Sequence, residues 1–271
     1  MGLVSARIHR AIQHRSPIVG IEVLSLTSNL AFPRHVHDHL GIGVIAEGGH
    51  RSWSDIGAVE AVAGEIIMVN PGEMHDGLPV AGHIRSWRML CFEPDLVARE
   101  LADETPHLPD AVLPMASDPM LAARFLRLFE RMREAAPEAL AVEEGVLATL
   151  MQVMRRHASR PIAVDRRSPV VAKAQRRIDE APELPVTLAE LAALAGTSRF
   201  QLLRGFAREL GITPHAYLVT RRVGLARRLI RAGHALADVA AAAGFADQSH
   251  LNRAFVRQCG VTPGRYRAAL A

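Results

Sequence analysis

The chain of 271 residues carries a formal net charge of +4, and 49% of its residues are hydrophobic. At roughly 150 residues per domain, that length suits two domains with cores of their own, and the apolar share excludes a disordered chain. Cys91 and Cys259 stand far apart and form no CxxC, which argues against a disulfide scaffold or a cysteine-based zinc site. With 4% aromatic residues, Leu, Val, Ile and Ala must fill most of the core. The opening MGLVSARIHR lacks the apolar core of a signal peptide, and the acylation pattern fails at Ala6. No run of about 18 apolar residues exists to span a bilayer, so we expect a soluble, cytoplasmic protein with no membrane partner.

Charge divides the chain. Residues 171–271 hold Lys173 and fourteen arginines against seven acids, a net of +8, while residues 1–170 hold 17 basic and 21 acidic residues, a net of −4. An acidic front and a basic back suit a nucleic-acid-binding second half. One solvated basic face would give the same count, so charge alone leaves both readings open.

In chain order, PIVGIEVLSL, LGIGVIAEGG, EIIMVNPG and HIRSWRMLCFEP between residues 17 and 94 read as short strands. They are rich in Val and Ile and bounded by Gly, Pro, Asn or Asp, which suits an all-β sandwich or small barrel. After Pro114 the period changes. Leu121, Phe125, Leu128, Phe129 and Met132 recur at three- and four-residue steps and predict an amphipathic helix, and EALAVEEGVLATLMQVMRRHA predicts a second. These two helices can pack on the barrel, on each other or on a second subunit, and residues 118–158 are the candidate homodimer interface. SRPIAVDRRSPV (159–170) is the candidate linker. The expected domains are therefore 1–114, a helical segment 115–158, the linker, and an all-helical 171–271.

The strongest signal is an internal repeat. Leu188, Glu190, Leu191 and Gly196 match Leu236, Asp238, Val239 and Gly244 at an offset of 48. Leu202, Arg204, Phe206, Arg208, Gly211, Thr213, Pro214 and Tyr217 then match Leu251, Arg253, Phe255, Arg257, Gly260, Thr262, Pro263 and Tyr266 at an offset of 49. Each copy predicts a short helix stopped by Gly196 or Gly244, where a left-handed turn favours glycine. A second helix follows from Ser198 or Asp247, both good caps. Leu202/Phe206 and Leu251/Phe255 share one face, opposite Arg199, Arg204, Gln248, Asn252 and Arg253. Short helix, glycine turn and a second helix with polar residues near its start make a helix-turn-helix, expected at 188–209 and 236–259. Thr213-Pro214 predicts the start of a helix running to about Gly233, a rod of roughly 28 Å able to hold two reading helices near one DNA turn apart. Its arginines, Arg221, Arg222, Arg227, Arg228 and Arg231, suit phosphate contacts or pairing with acids better than base reading.

With GFADQSHLNRAFVRQCGVTPGRYR in view, the last hundred residues resemble the DNA-binding domain of the AraC/XylS family of bacterial transcription regulators. The resemblance implies seven helices starting near Pro169. It places DNA contacts on Ser198, Arg199, Phe200, Gln201, Leu203 and Arg204, and on Gln248, Ser249, His250, Asn252 and Arg253. Phe200 and Leu203 are apolar where polar readers are expected; they would meet thymine methyls or simply pack. The front half resembles the cupin-type sensor domain of the same family. FPRHVHDHLGIGVIAEGG and PGEMHDG sit where cupin motifs lie, with His35 and His37 as an HxH pair on a strand and His75 as the last ligand. The expected motif glutamate is replaced by Gly41, leaving Glu73 or Asp38 as an oxygen ligand beside a zinc or iron ion, or an effector pocket lined by these histidines. His39, His50 and His83 are expected at the surface or in the pocket, and Trp53, Trp87 and Phe92 in the core.

The expected fold class is α+β: a cupin-like β-barrel, two helices, then an all-α domain with two helix-turn-helix units. The resemblance implies a non-enzymatic transcription regulator, an activator by family habit. It would bind promoter DNA and RNA polymerase, answer to a small-molecule effector and work as a homodimer. A metal-dependent cupin enzyme carrying a DNA-binding domain is the alternative.

Overall fold

The computed structural model describes residues 7–54, 56–102, 111–159 and 168–270. The chain forms two compact units, one made largely of residues 1–162 and the other largely of 163–268. The expected linker falls mostly on 160–167, outside the described residues.

The first unit contains strands β1 (His9–His14), β2 (Ile21–Ser28), β3 (Phe32–Val36), β4 (Leu40–Glu47), β5 (Gly49–Trp53) and β6 (Ala58–Val62). Strands β7 (Ile66–Val69), β8 (Met74–Pro79) and β9 (Arg85–Phe92) follow, then helix α1 (Pro94–Leu101). The short strands β10 (Ala111–Val112) and β11 (Met115–Ala116) lead into α2 (Pro119–Met132), α3 (Ala139–Arg156) and β12 (Ala158–Ser159). One sheet runs β1-β2-β9-β4-β7-β11 and a second runs β3-β8-β5-β6, while β10 pairs with β12. The fold class is α+β, as expected.

Period-two alternation sorts the six-stranded sheet into two faces. Ile42, Val44, Ile66, Met68, Leu90 and Phe92 share a buried core with Leu96, Val97 and Leu101 of α1, with Leu121, Phe125 and Phe129 of α2, and with Val146, Leu150 and Val153 of α3. The residues between them, Ile45, Ile67 and Trp87, form a second cluster with Ala61 of β6 and with Phe32, Leu26 and Met89, which joins the two sheets. The stripe predicted on α2 therefore packs on the sheet and on α3. Asp118 caps α2 by accepting from Leu121 N at 3.0 Å, and it also takes Gln152 Nε2 at 3.1 Å and His157 Nε2 at 2.9 Å near the end of α3. Burial alone would raise its pKa, but these hydrogen bonds outweigh burial and hold it down to about 2.

The four expected strands are present as β2, β4, β7 and β9; β2 begins at Ile21, four residues after the predicted Pro17. Strands β1, β5, β6, β8, β10, β11 and β12 and helix α1 were not anticipated. Strand β3 ends at Val36, so His37 lies just past the strand instead of on it.

The second unit has seven helices among the described residues: α4 (Pro169–Glu180), α5 (Leu188–Ala195), α6 (Arg199–Glu209), α7 (Pro214–Arg231), α8 (Leu236–Ala242), α9 (Gln248–Cys259) and α10 (Pro263–Ala268). Leu202, Phe206, Leu251 and Phe255 are fully buried, and Gly196 and Gly244 adopt φ of 67° and 78° at the turns. Thr213 caps α7 through Ala216 N at 3.1 Å, and its 18 residues span about 27 Å. Asp179 on α4 accepts from Tyr217 Oη at 2.8 Å and pairs with Arg221 at 2.9 Å, fixing α7 to α4.

Candidate functional site

Helices α6 and α9 place the predicted contact residues. Ser198 accepts from Gln201 N at 3.2 Å, and the Gln201 carboxamide oxygen accepts from Ser198 N at 3.2 Å and from Thr197 Oγ1 at 2.9 Å. This reciprocal cap fixes the start of α6 and occupies part of two candidate readers. Ser198, Arg199, Phe200, Gln201, Leu203 and Arg204 are all exposed. Phe200 keeps 66% of its surface in solvent, and the Arg204 guanidinium lies 5.6 Å from its ring centroid. An exposed phenylalanine under a cation is a surface feature, not a core residue that strayed.

On α9, Asp247 caps through His250 N at 2.6 Å. Gln248, Ser249, Asn252 and Arg253 are exposed. His250 is half-buried, its ring edge-on to Phe245 at 5.1 Å, so it is partly committed to packing. Both helices thus turn a buried Leu/Phe pair inward and a polar or basic first turn outward, the arrangement that major-groove reading requires.

The arginines of α7 divide. Arg221 pairs with Asp179, Arg222 Nε donates to Pro182 O at 2.7 Å, and Arg227 is buried with its guanidinium 5.5 Å from the Tyr266 ring centroid. These three hold the domain together.

Strand β3, the residue just after it and strand β8 bring His35, His37 and His75 together, with one ligand atom from each within 4.8 Å of the others. His75 Nδ1 lies 3.1 Å from Glu73 O. As an N–H donor there, it leaves Nε2 with its lone pair, the tautomer a metal or a polar ligand needs. Burial first, opposed by that hydrogen bond, lowers the His75 pKa to about 4, so the ring is neutral near pH 7. Three imidazoles this close together fit a divalent transition metal. Glu73 does not join them. Its Oε2 accepts from Asn70 N at 2.9 Å and Asn70 Nδ2 at 2.7 Å, while Asn70 binds both backbone groups of Val112. Glu73 locks a loop, and the oxygen ligand expected of it is absent from the group.

His39 and His50 are buried and His83 is exposed. Burial, then the charge of Arg85, lowers the His50 pKa to about 3. Trp87 and Phe92 are core residues, and Trp53 is half-buried. Arg85, which nothing in its local sequence singles out, is fully buried at the start of β9.

Comparison with known proteins agrees with both halves. Residues 19–153 match the AraC-like ligand binding domain family, and residues 191–269 match a helix-turn-helix domain family. The HTH-type transcriptional regulator YbfI of Bacillus subtilis is 30% identical over 224 residues, 81% of each chain. The transcriptional activator NphR of Rhodococcus is 34% identical over 131 residues, 48% of this chain and 36% of NphR. A crystal structure of ToxT from Vibrio cholerae aligns over 100% of this chain and 98% of its own, with a TM-score of 0.53 at 12% identity, a likeness of fold alone. No helix among the described residues is long and apolar enough to cross a membrane. The chain therefore belongs to the AraC-type family of HTH-type transcriptional regulators, with an AraC-like ligand-binding domain in front and a helix-turn-helix domain behind.

Proposed function

We propose that this regulator is an effector-controlled activator that binds promoter DNA through α6 and α9. The observation that carries the reading is the paired outward face: Arg199, Gln201 and Arg204 on one helix, Gln248, Ser249, Asn252 and Arg253 on the other, all exposed in a basic domain. Phosphate contacts would supply affinity and these side chains selectivity. A small molecule held by the front unit acts through unequal affinity for DNA-competent and incompetent arrangements. The likeness to NphR, an activator by its name, supports activation, which would proceed by recruiting RNA polymerase. A homodimer through α3 is part of the reading: Leu140 is 62% exposed, and Leu147, Met151 and Met154 continue its stripe half-buried. As a DNA-bound protein it works in the cytoplasm.

The test is titration of the full chain against a selected DNA site in rising salt. Affinity should fall steeply as salt rises, because neutralised phosphates release counterions. A flat response would overturn the assignment.

The clustered histidines favour a second reading, a metal-holding front unit acting as sensor or enzyme. His35, His37 and His75 would hold the ion, which would supply Lewis acidity or a reporter of metal supply. Elemental analysis of the purified protein beside His35→Ala and His75→Ala decides it: one ion per chain, lost in both variants, supports the metal, and no ion leaves the histidines as pocket lining.

A further inference from the structure

Arg85 is the largest side chain that the first unit buries completely among the described residues. Its guanidinium Cζ lies 5.1 Å from the Trp87 ring centroid and 5.6 Å from that of Phe32, both in the apolar cluster between the sheets. Nη2 donates to Gly77 O at 3.2 Å. Nε and Nη1 have no hydrogen-bond partner among the described residues, and no carboxylate there pairs with the group. Burial pulls its pKa to about 10, which still leaves it charged at neutral pH. A buried guanidinium with unused donors is costly, and such donors call for a partner, an ordered water or a bound anion.

The surroundings narrow the anion. A Cβ on Gly77 would meet His50 Cε1 at 3.0 Å and Arg85 Nη2 at 3.7 Å, so imidazole and guanidinium flank one bare stretch of backbone. His50 Nδ1 is also buried without a partner. One cation beside a neutral imidazole balances one negative charge, not the two of a phosphate monoester. Trp87 and Phe32 border them and belong to one apolar cluster with Ile45, Ile67 and Met89.

We propose that Arg85 anchors the effector of the front unit, and that the effector is a small monocarboxylate with an apolar body. The fork takes the carboxylate, His50 Nδ1 supplies a further hydrogen bond, and the body packs on Trp87, Phe32 and Met89. This deepens the effector reading above and rests on it.

The test is calorimetric titration of the full chain with phenylacetate and hexanoate, beside their uncharged counterparts phenylacetamide and hexan-1-ol. Saturable binding of an acid at least tenfold tighter than its counterpart is expected. Arg85→Met, of similar length and without charge, should abolish that preference, the acid falling to about the affinity of its uncharged counterpart. Circular dichroism melting checks that the variant folds; if it does not, the acid-against-amide comparison on the native protein decides alone. Equal affinity for acid and amide overturns the anion assignment, as does an acid preference that survives in a folded Arg85→Met. Saturable binding of uncharged compounds alone overturns it too, yet leaves the effector reading standing. No saturable binding by any of the four overturns the anion assignment and counts against the effector reading as well.

Discussion

Helices α5 and α6 each open with a reciprocal cap, Thr187 with Glu190 and Ser198 with Gln201. Their repeat partners are built differently: α8 opens at Ala235 with no side-chain cap, and α9 has only the bond from His250 N to Asp247. The two turns differ as well. A Cβ at Gly196 would meet nothing within 4 Å, whereas one at Gly244 would lie 2.5 Å from Glu183 O. Arg222 holds that same stretch in place through Pro182 O. The first helix-turn-helix is stabilised by its own local hydrogen bonds, and the second leans on the rest of the domain. One two-helix scaffold can thus be kept by either means, which frees the outer faces to differ: Phe200 and Leu203 on one, Gln248, Ser249 and Asn252 on the other.

The sharpest way to break this comparison is at the turns. Gly244→Ala combines left-handed backbone strain with a clash against backbone and should cost about 2–4 kcal/mol in denaturant unfolding. Gly196→Ala has only the strain and should cost about 1 kcal/mol. Equal costs would refute the claim that the second turn is pressed by its neighbours. Next comes the DNA face. Arg253→Ala should weaken binding to a selected site by about 1–3 kcal/mol with unchanged melting. In selection from random DNA, the half-site under α9 should emerge more sharply defined than that under α6, because hydrogen bonds discriminate bases better than apolar contacts do. Two equally sharp half-sites would mean that Phe200 and Leu203 read DNA as well as the polar set.

Caps come third. Thr187→Ala and Ser198→Ala should each cost about 1 kcal/mol, while Ala235→Thr should add roughly 0.5–1 kcal/mol where no cap exists. If Ala235→Thr adds nothing, α8 is not limited by its open end. The smallest effect is the pH response of the first cap. The Thr187 N–H and hydroxyl hold the Glu190 carboxyl below its ordinary 4.5. A depressed carboxylate contributes stability that is present above the ordinary value and lost as pH falls through the depressed one. An NMR titration should find Glu190 titrating below ordinary glutamates, and Glu190→Gln should remove that part of the acid sensitivity.

The helical half was legible because its signals are local. Ser198, Asp247 and Thr213 cap residues three positions on, and Leu202/Phe206 and Leu251/Phe255 meet across one turn of the same helix, so spacing along the chain is spacing in space. The front half was legible only in part. Strands β5 and β8 read as GHRSW and MHDGLP, too polar and too rich in Gly and Pro to register. The histidine cluster was visible as HxH plus a later His, but the use of Glu73 was not: its carboxylate serves Asn70, which in turn grips Val112, 42 residues along.

By itself, the sequence determined the repeat, its caps and glycine stops, the inward and outward faces of α6 and α9, and hence the kind of partner the second half takes. The tertiary structure alone decided which strands pair, which α7 arginines became struts and that Arg85 lies wholly buried. The physical reason is range: a helix closes its hydrogen bonds within four residues, whereas a sheet sets Glu22 against Cys91, and burial of a side chain depends on every strand around it.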